Sequence, residues 1–403
     1  MLAEAAPEIA CVLWQFVRHV RDWAAATPAQ RRELFASESK GWVEDKWREA
    51  SRTATEIVHA LGNLESLTRE ARDVDAIASA AEKVARWAES RGYQETSIQM
   101  AEASALLGRT EPRLANLAGR LTRKAGDFAR AEIWFERAIG LARARSDRVE
   151  YTRGHLGAGI LAMNLGRETR ARRHFDTASS VAMREGHEWL AAEAQHDLFQ
   201  FVTMRASFVA AELHARRALR WYPKHHPRFP FFAADVAFLM VAQRHFAPAV
   251  TLLRIFVRVI KPPQNLLGYS LFVRALAGAG RTREFQQRRG TLHKLLSKKN
   301  EYDAAARWNL AHAEREAGDA HAALVQARIS ATLARARCDR ETETLAQQLI
   351  YEIENTPQPA PPDETRGDHR WGPLAKELAA RLEEWSPTRR GRTPVLRKSE
   401  WAA

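Results

Sequence analysis

Two adjacent histidines, His225 and His226, lie in the stretch WYPKHHPRFPFF, Trp221 to Phe232. Five aromatic rings and three prolines, Pro223, Pro227 and Pro230, surround them. Neutral imidazoles bind zinc, copper and nickel, but a structural metal site takes several ligands in fixed geometry. This pair needs a third ligand from elsewhere in the chain. The 14 histidines are otherwise scattered. The plainer reading is a pair of solvated loop residues. No glycine-rich phosphate loop, nucleophile elbow or paired metal-ligand motif occurs in the sequence. The expectation is therefore a non-enzymatic protein with no catalytic residue, no cofactor and no metal.

The elements that position these residues are expected to be helices. The chain has 403 residues, 45% hydrophobic, with 20 glycines and 16 prolines. That composition is foldable rather than disordered. Ala, Leu, Arg and Glu dominate, all good helix formers, and no useful length alternates with period 2. The two cysteines, Cys11 and Cys338, are far apart and suit a reducing compartment. The N-terminal apolar stretch is interrupted by Glu4 and Glu8 and runs into Arg18, unlike a signal peptide or a membrane span. A cytoplasmic location is expected.

The formal net charge is +13, and its distribution is uneven. Residues 201–300 hold 18 Lys and Arg against 3 Asp and Glu, a local excess of +15, so the rest sums to −2. Arg216, Arg217, Arg220, Lys224 and Arg228 cluster around the histidine pair. Arg281, Arg283, Arg288, Arg289, Lys294, Lys298 and Lys299 form a second cluster. Such a surface suits phosphates, contacted without base readout, or an acidic protein face.

The chain also repeats itself. Gly119 and Gly126 are followed by Ala131, Phe135 and Ala138; Gly159 and Gly166 are followed by Ala171, Phe175 and Ala178 at the same offsets. Turn anchors near 91, 126, 166, 206, 244, 280 and 318 continue the frame for about seven units. A small residue in a first helix admits the second helix closely; the aromatic then packs on the same face. This pattern resembles the tetratricopeptide repeat, a helix–turn–helix unit, over residues 76–352. The resemblance implies an all-α, right-handed superhelix whose first helices line a concave groove.

In the unit starting near Pro112, Leu114, Leu117, Ala118, Leu121 and Ala125 read as buried. The opposite face then carries Arg113, Asn116, Arg120, Arg123 and Lys124. Family members that bind peptide ends hold carboxylates with basic and Asn side chains on this face. By the same frame the resemblance implies a surface of Arg153, His196, Gln200, Arg274, Trp308, His312 and Arg315. A guanidinium grips a carboxylate bidentately, and Trp308 offers an apolar anchor. The expected function is a scaffold or sensor that binds a peptide or protein partner, an acidic one fitting best. The layout is also similar to bacterial peptide-sensing regulators. The alternative is a nucleic-acid partner on the basic 201–300 region. No membrane partner is expected, and the sequence leaves the oligomeric state open.

Residues 1–75 read as three helices, near 7–26, 28–38 and 42–70, forming a bundle or cap. Residues 353–370 read as a proline-rich linker, 371–385 as an amphipathic helix with Leu374, Leu378 and Leu382 on one face, and 386–403 as a basic tail. In the repeat frame WYPKHHPRFPFF becomes a joint: Pro223 closes one second helix and Pro230 opens the next first helix. Phe231 and Phe232 are expected in the core, leaving Lys224, His225, His226 and Arg228 as a basic contact on the outside.

Overall fold

A computed structural model describes residues 1–27, 30, 40–69, 73–261, 265–297, 302–337, 339–356 and 368–385. The expected helix at 28–38, the basic tail, most of the proline-rich segment, Cys338, Lys298 and Lys299 lie outside them. Nineteen α-helices and one short 3-10 helix appear among the described residues, with no strand. The chain divides into two compact units, Met1–Leu198 and the part from Phe199 onward.

The first unit begins with α1 (Pro7–Ala25), α2 (Lys40–Thr53), and α3 (Val58–Arg69). The helix expected over 42–70 is interrupted at Ala54, between Thr53 and Thr55. Threonine is a weak helix former, and the break carries Ile57 into the same core as Trp47 and Leu61. Hairpins follow: α4 (Val74–Ser90) with α5 (Gln94–Leu107), α6 (Pro112–Lys124) with α7 (Phe128–Ala144), and α8 (Arg148–Asn164) with α9 (Glu168–Arg184). α10 (Glu188–Thr203) runs across the division. The N-terminal helices share one hydrophobic core with the first hairpins, from Met1 to Ala138. The Glu4 carboxylate caps α5, accepting from the Glu95 and Thr96 amides at 2.9 and 2.8 Å.

The second unit contains α11 (Phe208–Trp221), α12 (Phe229–Ala242), α13 (Phe246–Val259), α14 (Leu266–Gly278), α15 (Thr282–Leu296), α16 (Asp303–Glu316), α17 (Ala320–Ala336), α18 (Arg340–Asn355), and α19 (Asp368–Glu383).

The turn chemistry follows from the sequence anchors. At the α6–α7 turn, Gly126 takes φ +82°, and the Asp127 amide donates back to Thr122 O at 3.0 Å. This is the glycine-terminated helix end that satisfies orphan carbonyls. Asp127 Oδ1 then accepts from the Arg130 amide and caps α7. The small-to-aromatic spacing is a packing device. A methyl at Gly119 would lie 2.9 Å from the Phe135 ring, and one at Gly159 would lie 2.5 Å from Phe175. Phe135 and Phe175 are both buried.

Candidate binding groove

In the first unit Arg113, Asn116, Arg120 and Arg153 are joined to carboxylates of the chain itself. Arg113 pairs with Glu82. Arg120 grips both Glu89 oxygens, at 2.6 and 2.8 Å, and Lys124 adds a third bond at 2.9 Å. Arg153 donates to Glu150 at 2.6 Å and stacks on Trp189. Arg123 reaches Asn164 Oδ1 at 3.5 Å. Asn116 is not on an open face. It is buried and donates to the Glu150 backbone and side chain at 3.1 and 2.8 Å. Ala125, expected in the core, is half-buried. His196 is buried. These contacts tie each helix to the hairpin before or after it.

The second unit differs. Arg315 holds Glu352 at 2.9 Å and the Thr356 carbonyl at 2.9 Å. Gln200 donates to Asp235 at 2.7 Å. Arg274, Trp308 and His312 come together. The Arg274 guanidinium lies 5.1 Å from the Trp308 ring, and His312 meets the same indole edge-on at 4.6 Å. Arg274 is buried, and its Nε and Nη1 have no hydrogen-bond partner. Burial lowers its pKa to about 10, against the opposing pull of Glu316. Burial also holds the His312 imidazole well below its usual range, followed by the charges of Arg274 and Arg315. Glu316 is already taken bidentately by Arg244, at 2.7 and 3.1 Å.

Trp308 also lines a cavity of about 400 Å³. First helices supply nearly all of its wall: α12 gives Phe231, Asp235 and Phe238; α14 gives Leu267 and Leu271; α16 gives Ala305 and Asn309; α18 gives Glu341 and Leu345. Phe256 enters from α13, and Tyr302 from just before α16. Phe231 is 40% exposed, which corrects its expected place in the core; Phe232 is buried as expected. Leu267, Tyr302 and Leu345 are exposed as well. Apart from Trp308, the repeat frame did not single out this set, because the frame follows packing within one hairpin and the wall draws residues from several helices. The available signal was a large apolar residue near the start of α12 and of α14, Phe231 and Leu267.

The joint is covered from within the same unit by α19. Arg381 donates to the Leu219 and Tyr222 carbonyls, both at 2.7 Å, closing the end of α11. Its guanidinium stacks 4.3 Å from the Phe229 ring. Trp385 meets His225 edge-on at 6.0 Å, and Lys224 pairs with Glu384 at 3.2 Å. Leu374, Leu378 and Leu382 are buried, as are Trp371 and Trp385. His226 is buried beside Tyr222 rather than solvated. The expected outer contact is thus largely occupied by the chain's own C-terminal helix. Among the described residues no group of three or more His, Cys, Asp or Glu is arranged to hold a metal. No helix there is long and apolar enough to cross a membrane.

Of the basic clusters, Arg216 pairs with Glu212 and Arg289 with Glu314. Arg217, Arg220, Arg281, Arg283 and Lys294 are exposed.

No family model matches the chain, and no curated protein does. Among solved structures it is similar to the TPR domain of P58(IPK), at 12% identity over 94% of this chain and 99% of that one, with a TM-score of 0.23. It is also similar to a circular tandem repeat protein with a novel repeat topology, at 17% identity over 94% and 95%, with a TM-score of 0.17.

Proposed function

We propose that this TPR-like helical-repeat protein is a non-enzymatic scaffold or sensor that binds a segment of a protein partner in the second unit. The observation that supports the reading is the cavity of about 400 Å³ among first helices, rimmed by exposed Phe231, Leu267, Tyr302 and Leu345. Concave sites of this size, mostly apolar with a few polar groups, are where ligands bind. Beside it, Arg274 has two unpartnered nitrogens, and a partner carboxylate would satisfy them. That is the chemistry by which an acidic group of the partner would be held. Gln200, Trp308, His312 and Arg315 complete the surface. In the first unit Arg113, Asn116, Arg120, Arg123, Arg153 and His196 serve the stack itself. A role in cytoplasmic regulation or signalling in bacteria rests on the similar layout of peptide-sensing regulators.

The test is quantitative capture of partners from host lysate by the full chain and two variants. Leu345→Glu charges the cavity rim. Tyr351→Glu charges an exposed position on the same helix that is not part of the cavity wall. Partners lost with the first and kept with the second support the groove. An unchanged set with Leu345→Glu removes it.

A further inference from the structure

The cavity wall has a composition that a purely apolar ligand does not use. Five aromatic residues contribute to it: Phe231, Phe238, Phe256, Tyr302 and Trp308. Its charged members are Asp235 and Glu341, both acidic, and no Lys, Arg or His is in the wall. Asp235 is engaged by Gln200. Glu341 has no hydrogen bond or ion pair among the described residues, although it stands on a chain with an excess of cations. The side chain is exposed to solvent; desolvation by neighbouring atoms first, and the nearby Asp339 charge second, still hold its carboxyl above the usual range. Aromatic rings attract cations through their negative faces, by about 0.5–1 kcal/mol when exposed and about 2 when desolvated. One guanidinium already uses this chemistry: Arg274 stacks on Trp308 without joining the wall, its charge offset by Glu316 and Glu352.

We propose that the cavity receives a cationic side chain, an arginine or lysine of the partner segment, whose aliphatic stem lies along the rings and whose head pairs with Glu341. The assignment rests on the reading that a partner segment binds this groove. It differs in sign from the carboxylate chemistry expected at Arg274. An acidic side chain entering the cavity would meet two like charges, whereas a basic one meets two opposite ones. A long basic side chain suits a site that is apolar in its body and charged at its rim.

Three acetylated, amidated peptides, Ser-Leu-X-Leu-Ser with X as Arg, Gln or Glu, are titrated calorimetrically into the full chain. The Arg peptide should bind about tenfold more tightly than the Gln peptide, and the Glu peptide more weakly than either. Glu341→Gln should bring the Arg and Gln peptides within about threefold and leave the Gln peptide unchanged. Equal binding of all three, preference for Glu, or no binding by any overturns the cation assignment. If all three bind equally and Leu345→Glu weakens them all, the groove stands and only the assignment falls. If none binds and Leu345→Glu also leaves partner capture unchanged, both fall.

Discussion

Burial by itself would raise the Glu89 carboxyl, yet it is held at about 2 because bonds and charges from Arg120 and Lys124 overcome that effect. A depressed carboxylate contributes stability that is present above its ordinary value of 4.5 and is lost as pH falls toward 2. Glu89→Gln should therefore cost roughly 1–3 kcal/mol at pH 7, measured by urea unfolding, and less at pH 3. An equal cost at both pH values would deny the ion pair that role. His155 shifts stability in the same direction, over a higher pH range. Its Nδ1 lies 3.0 Å from that of His174, and burial, then the His174 and Arg143 charges, lower its pKa to about 4. His174 is itself lowered by burial and by Arg170, against Glu136 and Glu132. Between about 4 and 6.5 the unfolded chain binds the extra proton, so stability should fall as pH drops through that window. His155→Asn should flatten that part of a melting-temperature profile. The pairing of these residues was not legible in the sequence. The arginines were visible as a face, but Glu82 and Glu89 lie 31 residues before Arg113 and Arg120, and only the hairpin stacking brings them together.

Helix ends and helix–helix contacts were far more legible, because they depend on residues a few positions apart. Gly126, Gly166, Gly280 and Gly318 all take positive φ at the expected turns. The same frame places Ala206 and Arg244 at equivalent turns, where they adopt φ 52° and 65° despite carrying a Cβ. Ala206→Gly should consequently stabilise the protein by roughly 0.5–1 kcal/mol, a gain visible as a raised thermal midpoint. Gly159→Ala should do the reverse, by about 1–3 kcal/mol, because the added methyl meets the buried Phe175 ring. Chemical denaturation of the two variants gives both signs. The cavity was less legible for a physical reason. Its wall draws on α12, α13, α14, α16 and α18, and a pattern within one hairpin does not report which side chains of several hairpins converge.

Each of the two units closes its own core. The first does so through the N-terminal helices, whose residues join a continuous cluster with α4 to α7. In the second, α19 buries Trp371, Leu374, Leu378 and Leu382. Trp371→Ala should cost about 3–5 kcal/mol and increase binding of an apolar dye. Unchanged unfolding would show that the helix is not part of the folded unit. The amphipathic pattern of this helix could be read in advance, but its seat could not, since 162 residues separate Arg381 from Leu219.

That separation sets an order of events during synthesis. α11 and the joint emerge from the ribosome long before Arg381 exists, so the α11 carbonyls and the Phe229 ring wait without the partner that later covers them. Early contacts in the helical hairpins are local and form quickly, whereas this closure spans most of the second unit. A nascent chain halted before α19 therefore presents an unfinished apolar surface, the kind of intermediate that chaperones hold.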